Sequence, residues 1–135
     1  MNIELTDKEF RRLLDLVYIG NWILNSTREK DRFEDYDILQ EKLFALCAKN
    51  GMNALISRWQ GHIFPSSAYE NGGIHEAIAD YEDAVFFDIL AEELARRDLG
   101  CFDSEPADYT ELNARMDEYM DEFEKSGVEN LVLEA

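Results

Sequence analysis

Cysteine is nearly absent from this sequence: Cys47 and Cys101 are its two. Neither belongs to a C-x-x-C pair, so they define no disulfide framework and no zinc site. Histidine is equally scarce. His62 and His75 both lack a glutamate three residues before them, which excludes the paired Glu-x-x-His motifs of di-iron bundles. The run "HEAIAD" begins like a zincin motif, but Ala79 stands where the second histidine belongs. No metal and no cofactor is expected. There is also no P-loop, no G-x-G-x-x-G and no G-x-S-x-G. Glu118 and Asp121 have E-x-x-D spacing, but no E-x-x-E precedes them, as an all-α nucleotide pyrophosphohydrolase would require. These absences favour a binding protein over an enzyme without deciding between them.

Long hydrophobic runs are missing too. The greasiest stretch, "LLDLVYIGNWIL" from Leu13 to Leu24, contains Asp15, and a membrane span needs about 20 apolar residues. The N-terminus is charged and has no apolar core of a signal peptide. A cytoplasmic location with both thiols reduced is expected. Two prolines, seven glycines and a hydrophobic share of 46% give no sign of disorder, and 135 residues suit a single domain.

Positive charge is the last scarcity. Thirteen Lys and Arg face thirty Asp and Glu, a formal net charge of −17. The residues from Cys101 to Ala135 hold eleven of the acids and two of the bases. Such a chain is repelled by nucleic acids and anionic membranes and is drawn to basic protein surfaces. "CAKNGMNALISRW" resembles a helix–turn–helix, but its second half offers Arg58 alone to a phosphate backbone.

What is present is helical periodicity, which predicts an all-α fold: a bundle of four main helices and one short helix, at about 7–28, 35–50, 52–60, 74–99 and 107–126. Thr6 and Glu9 make a capping box for the first helix. Phe10, Leu13, Leu14, Val17 and Leu24 share one of its faces. Gly20 is expected to allow a close helix crossing. Tyr36, Leu39, Leu43, Leu46 and Cys47 form the predicted core stripe of the second helix, which Asn50-Gly51 stops. The long helix over 74–99 shows two apolar faces, Ile74, Ile78, Tyr81, Val85 and Ile89 on one and Ala84, Phe87, Ala91, Leu94 and Ala95 on the other. Asp88 lies between them and is expected to be partly buried. Ser104 and Pro106 are the expected start of the last helix. The tail "ENLVLEA" reads as a docking segment. Cys47 reads as a packed thiol and Cys101 as an exposed one.

Two candidate sites emerge. Asp117, Glu118, Asp121 and Glu122 stand opposite the apolar stripe of the last helix, a face suited to a basic protein partner of an adaptor, inhibitor or immunity type. The alternative is a small-molecule-binding protein or enzyme with a ligand pocket near the 61–73 loop. Asn21, Asn25 and Arg28 make a polar line leaving the core face of the first helix. The loop from Gly61 to Gly73 brings His62, Tyr69 and Glu70, and a loop of that length in a small domain is either functional or a crossing connection. Arg28 would hold an anionic group there. A third reading is a structural subunit, since aromatics at 12% supply the material for a homo-oligomer interface.

Overall fold

In the computed structural model, which describes residues 1–134, Thr6 opens the first helix. Its hydroxyl accepts from the Glu9 N–H and the Glu9 carboxylate accepts from the Thr6 N–H, satisfying two end donors at once. The chain is mostly helical, in the order α1 (Asp7–Asn25), α2 (Glu34–Ala45), β1 (Ile56–Trp59), β2 (His62–Pro65), the single turn α3 (Ser67–Tyr69), α4 (His75–Leu99) and α5 (Tyr109–Ser126). It forms two compact units, Met1–Ile78 and Ala79–Ala135, and α4 runs from the first into the second. No helix among the described residues is long and apolar enough to cross a membrane.

In the first unit, α1 buries Phe10, Leu14, Tyr18, Asn21 and Asn25. These recur every three or four residues, so they form one stripe along the helix. Phe44, Cys47, Ile56, Tyr69, Ile74 and Ile78 complete the core against it. The Phe44 and Tyr69 rings meet edge-on at 5.1 Å, and Tyr18 meets Tyr69 at 5.2 Å.

Several expectations are corrected. The first helix stops at Asn25 rather than at 28, because the Asn25 side chain takes over the Phe33 backbone. Its Oδ1 accepts from the Phe33 N–H at 2.8 Å and its Nδ2 donates to the Phe33 carbonyl at 3.1 Å. The second helix is rotated from its predicted stripe. Tyr36, Leu39 and Leu46 are exposed, whereas Phe44 is fully buried. The rotation turns Asp37 and Gln40 toward α1, where Asn21 binds both. Gly20 is exposed, and a Cβ added there would meet nothing within 4 Å, so it marks no close crossing.

The short helix expected at 52–60 is a 3-10 turn, Asn53–Leu55, followed by a strand. β1 and β2 pair antiparallel, Ile56 opposite Pro65 and Trp59 opposite His62. Gln60 and Gly61 form the two-residue turn with φ of +50° and +79°, the left-handed geometry that matches strand twist. The supposed loop 61–73 therefore contains β2, α3 and a wide turn at Glu70–Ile74. Gly73, at φ +108°, supplies the kink into α4.

In the second unit, Ala91 and Ala95 of α4 and Leu112 and Phe123 of α5 are buried, and Phe87 packs on Phe123 at 5.4 Å. The other face of α4 is bare: Tyr81, Phe86 and Ile89 are exposed, and so is Asp88. Cys101 is buried, not exposed, and its N–H donates to the Arg96 carbonyl at the end of α4. Asp108, not Ser104, caps α5, because its carboxylate accepts from both the Thr110 N–H and hydroxyl. Asp98 ties α4 to α5, accepting from Arg97, Arg115 and the Tyr119 hydroxyl. The tail forms no strand: Val132 and Leu133 are exposed, and Ala135 lies outside the described residues.

Candidate functional site

A cleft of about 680 Å³ opens in the first unit between α1, α2 and the β2–α3 segment. Its floor is an amide network. Asn21 and Asn25 are 7% and 1% exposed, so both amides need partners inside the protein. Asn25 donates to the Asn21 Oδ1 at 2.6 Å. Asn21 donates to Asp37 at 3.0 Å and to Gln40 at 3.1 Å. The network joins α1, the connecting segment and α2, and leaves no buried side-chain polar atom unsatisfied among the described residues.

Arg32 and Asp37 form the next layer. The guanidinium grips the carboxylate with two prongs, Nε to Oδ2 at 3.0 Å and Nη2 to Oδ1 at 2.8 Å. That fork, with the Asn21 amide, holds the Asp37 carboxyl below the usual carboxylate range against the opposing effect of burial. On the opposite wall, the Glu41 carboxylate accepts from His62 Nδ1 at 2.9 Å and from the Ile63 N–H at 3.1 Å. These bonds lower the Glu41 pKa and pin the hairpin to α2.

The third corner is aromatic. Tyr18 and Trp22 stack at 6.4 Å, and the His75 ring meets both edge-on, at 5.6 Å and 4.9 Å. The Tyr18 hydroxyl and His75 Nε2 are 2.7 Å apart. Burial and the negative charge of Glu70 push the Tyr18 phenol up to about 12, so at neutral pH it keeps its proton. Ile38, Ile63, Phe64 and Pro65 add apolar wall.

Of the residues singled out in the sequence, Asn21, Asn25 and His62 line this cleft together with Glu70. Arg28 and Tyr69 do not. Arg28 closes the end of α1, with Nε on the Leu24 carbonyl at 2.7 Å, a salt bridge to Asp31 and its guanidinium over the Phe33 ring. Tyr69 is fully buried in the core, where its hydroxyl donates to Asp15 at 2.9 Å and Arg11 covers its ring. Burial first, then the hydrogen bond to Asp15 and the Asp15 charge, raise its pKa. The cleft residues that sequence reasoning missed include Tyr18, Trp22, Arg32, Asp37, Gln40 and Glu41. The Gln60-Gly61 pair, set between the β-formers Ile56 and Trp59 on one side and Ile63 and Phe64 on the other, was the available signal for the hairpin that carries the outer wall.

The acidic face of α5 is partly neutralised. Glu118 pairs with Arg115 at 3.0 Å and Glu122 accepts from Asn130 at 2.7 Å. Asp117 and Asp121 are exposed and have no ionic partner among the described residues. Among the described residues, no group of His, Cys, Asp and Glu is arranged to hold a metal.

Comparison with protein-family models, with curated proteins and with solved structures finds no match to this chain.

Proposed function

We propose that this chain is a cytoplasmic binding protein that captures a basic segment of a partner protein, and that the cleft of the first unit is where the segment docks. One observation carries this reading: the cleft sets three carboxylates, Asp37, Glu41 and Glu70, against one guanidinium, Arg32, between aromatic walls. An open groove with surplus negative charge and exposed rings favours cationic side chains on an extended chain. The net charge of −17 draws such a partner in from a distance, and Asp117, Glu118, Asp121 and Glu122 contribute to that steering. The two free thiols fit a reducing compartment.

The test is a calorimetric titration with an octapeptide of alternating arginine and glycine, beside its glutamate counterpart. Binding of the arginine peptide alone, weakening as salt rises, is expected. Changing Asp37, Glu41 and Glu70 together to amides abolishes it. Changing Asp117, Glu118, Asp121 and Glu122 to lysine slows association and leaves dissociation nearly unchanged. Equal binding of both peptides, or affinity indifferent to salt, refutes the reading.

A second reading, a subunit of a homo-oligomer, draws on the exposed Tyr81, Phe86 and Ile89 of α4. Light scattering that gives a monomer at high concentration removes it.

A further inference from the structure

We infer that the corner formed by Tyr18, Trp22 and Glu70 is the seat for the charged end of an arginine or lysine side chain, the anchor of the basic segment. The inference rests on the reading just proposed and deepens it. One carboxylate of the cleft has no cationic partner among the described residues. Asp37 is occupied by the two prongs of Arg32 and by the Asn21 amide. Glu41 is occupied by His62 and by the Ile63 N–H. Glu70 has no ionic partner among the described residues, and it lines the cleft beside Tyr18 and Trp22.

The ring environment is the second, independent observation. Trp22 is 36% exposed, although it is backed by Tyr18 and by the edge of His75. A large ring held by two aromatic neighbours and still partly exposed, inside a concavity, is a preformed contact surface. The indole is the strongest of the aromatic faces toward a cation. Glu70 supplies the compensating charge, and the Tyr18 phenol stays neutral beside it. An organic cation fits this corner better than a metal ion. A hard divalent metal wants six or more oxygen ligands, or several waters held by more than one carboxylate, and Glu70 is the one cleft carboxylate without a cationic partner among the described residues. The wide turn at Glu70–Ile74 is what makes the corner. It leaves the helical path at Gly72 and Gly73, so Glu70 and His75 both face Tyr18.

Trp22 and Trp59 are the two indoles of the chain, so a Trp59→Phe background leaves Trp22 as the emitter. Titrating that protein with the arginine–glycine octapeptide is expected to shift Trp22 emission in step with binding. Glu70→Gln weakens affinity about tenfold, and Trp22→Phe, which keeps a ring, weakens it severalfold. Melting curves matched to the parent confirm that both variants fold. If the octapeptide binds in a salt-sensitive way but Glu70→Gln binds as tightly as the parent and Trp22 emission is unmoved, the seat is overturned while the broader reading stands. If the octapeptide does not bind the parent at all, both fall together.

Discussion

Replacing Asn25 with alanine tests whether the amide network holds the first unit together. Asn25 is 1% exposed and makes three side-chain bonds, one to Asn21 at 2.6 Å and two to the Phe33 backbone at 2.8 and 3.1 Å. A hydrogen bond contributes about 1 kcal/mol net, and a buried partner left unpaired costs about 1–3 kcal/mol. Phe33 is exposed, so its backbone groups recover water when the amide is removed. The Asn21 oxygen, in a residue 7% exposed, recovers much less. The expected loss is therefore about 2–3 kcal/mol, below the simple sum of three bonds and their unpaired remainders. Urea unfolding followed by circular dichroism reads it as a lower midpoint at constant slope. Asn25→Asp separates the two roles of the amide. It keeps the acceptor for the Phe33 N–H but turns a donor into an anion facing the Asn21 oxygen and the Phe33 carbonyl, so it should cost at least as much as alanine at neutral pH. A loss under about 0.5 kcal/mol for alanine would refute the claim that this amide fixes the α1–α2 connection.

Three further outcomes follow from the same geometry. Asp15, Asp37 and Glu41 all have pKa values lowered by their partners, so their contribution to stability is present above the ordinary carboxylate range and is lost as pH falls through their depressed values, below about pH 4. Acid titration of the fold shows this, and Asp37→Asn should make the decline shallower; an unchanged slope would contradict it. Gly61→Ala forces a side chain into φ +79° and should cost about 1 kcal/mol in thermal unfolding, with the hairpin amides exchanging faster by NMR. Cys47 is fully buried, with its thiol pKa raised by burial, and Cys101 is 8% exposed, so both should resist a thiol reagent until denaturant is added. Immediate reaction of either one would count against that packing.

The helices were legible because their signals are local. The Thr6–Glu9 box, the apolar spacing along α1 and α4 and the glycines after α4 and α5 act within one or two turns of chain, and the structure begins or ends those helices within a few residues of the expected places. The face of α2 was misread because Asp37 and Gln40 point inward to reach Asn21. Hydropathy alone assigns them to solvent, and only the buried amide reverses that. The hairpin was misread because Met52, Leu55, Ile56 and Trp59 also fit a helical spacing. The left-handed turn at Gln60-Gly61 and the cross-strand pairing decided for strands.

Sequence alone determined that the protein is acidic, mostly helical and without the metal motifs considered, since composition and short-range periodicity are properties of the chain itself. Tertiary structure decided which polar residues meet. Tyr18 and His75 are 57 positions apart, and Glu41 and His62 are 21 apart. No local rule links such residues. They are brought together because Leu14, Phe44 and Tyr69 are buried in one core, and the cleft is the space that core leaves between the elements it anchors.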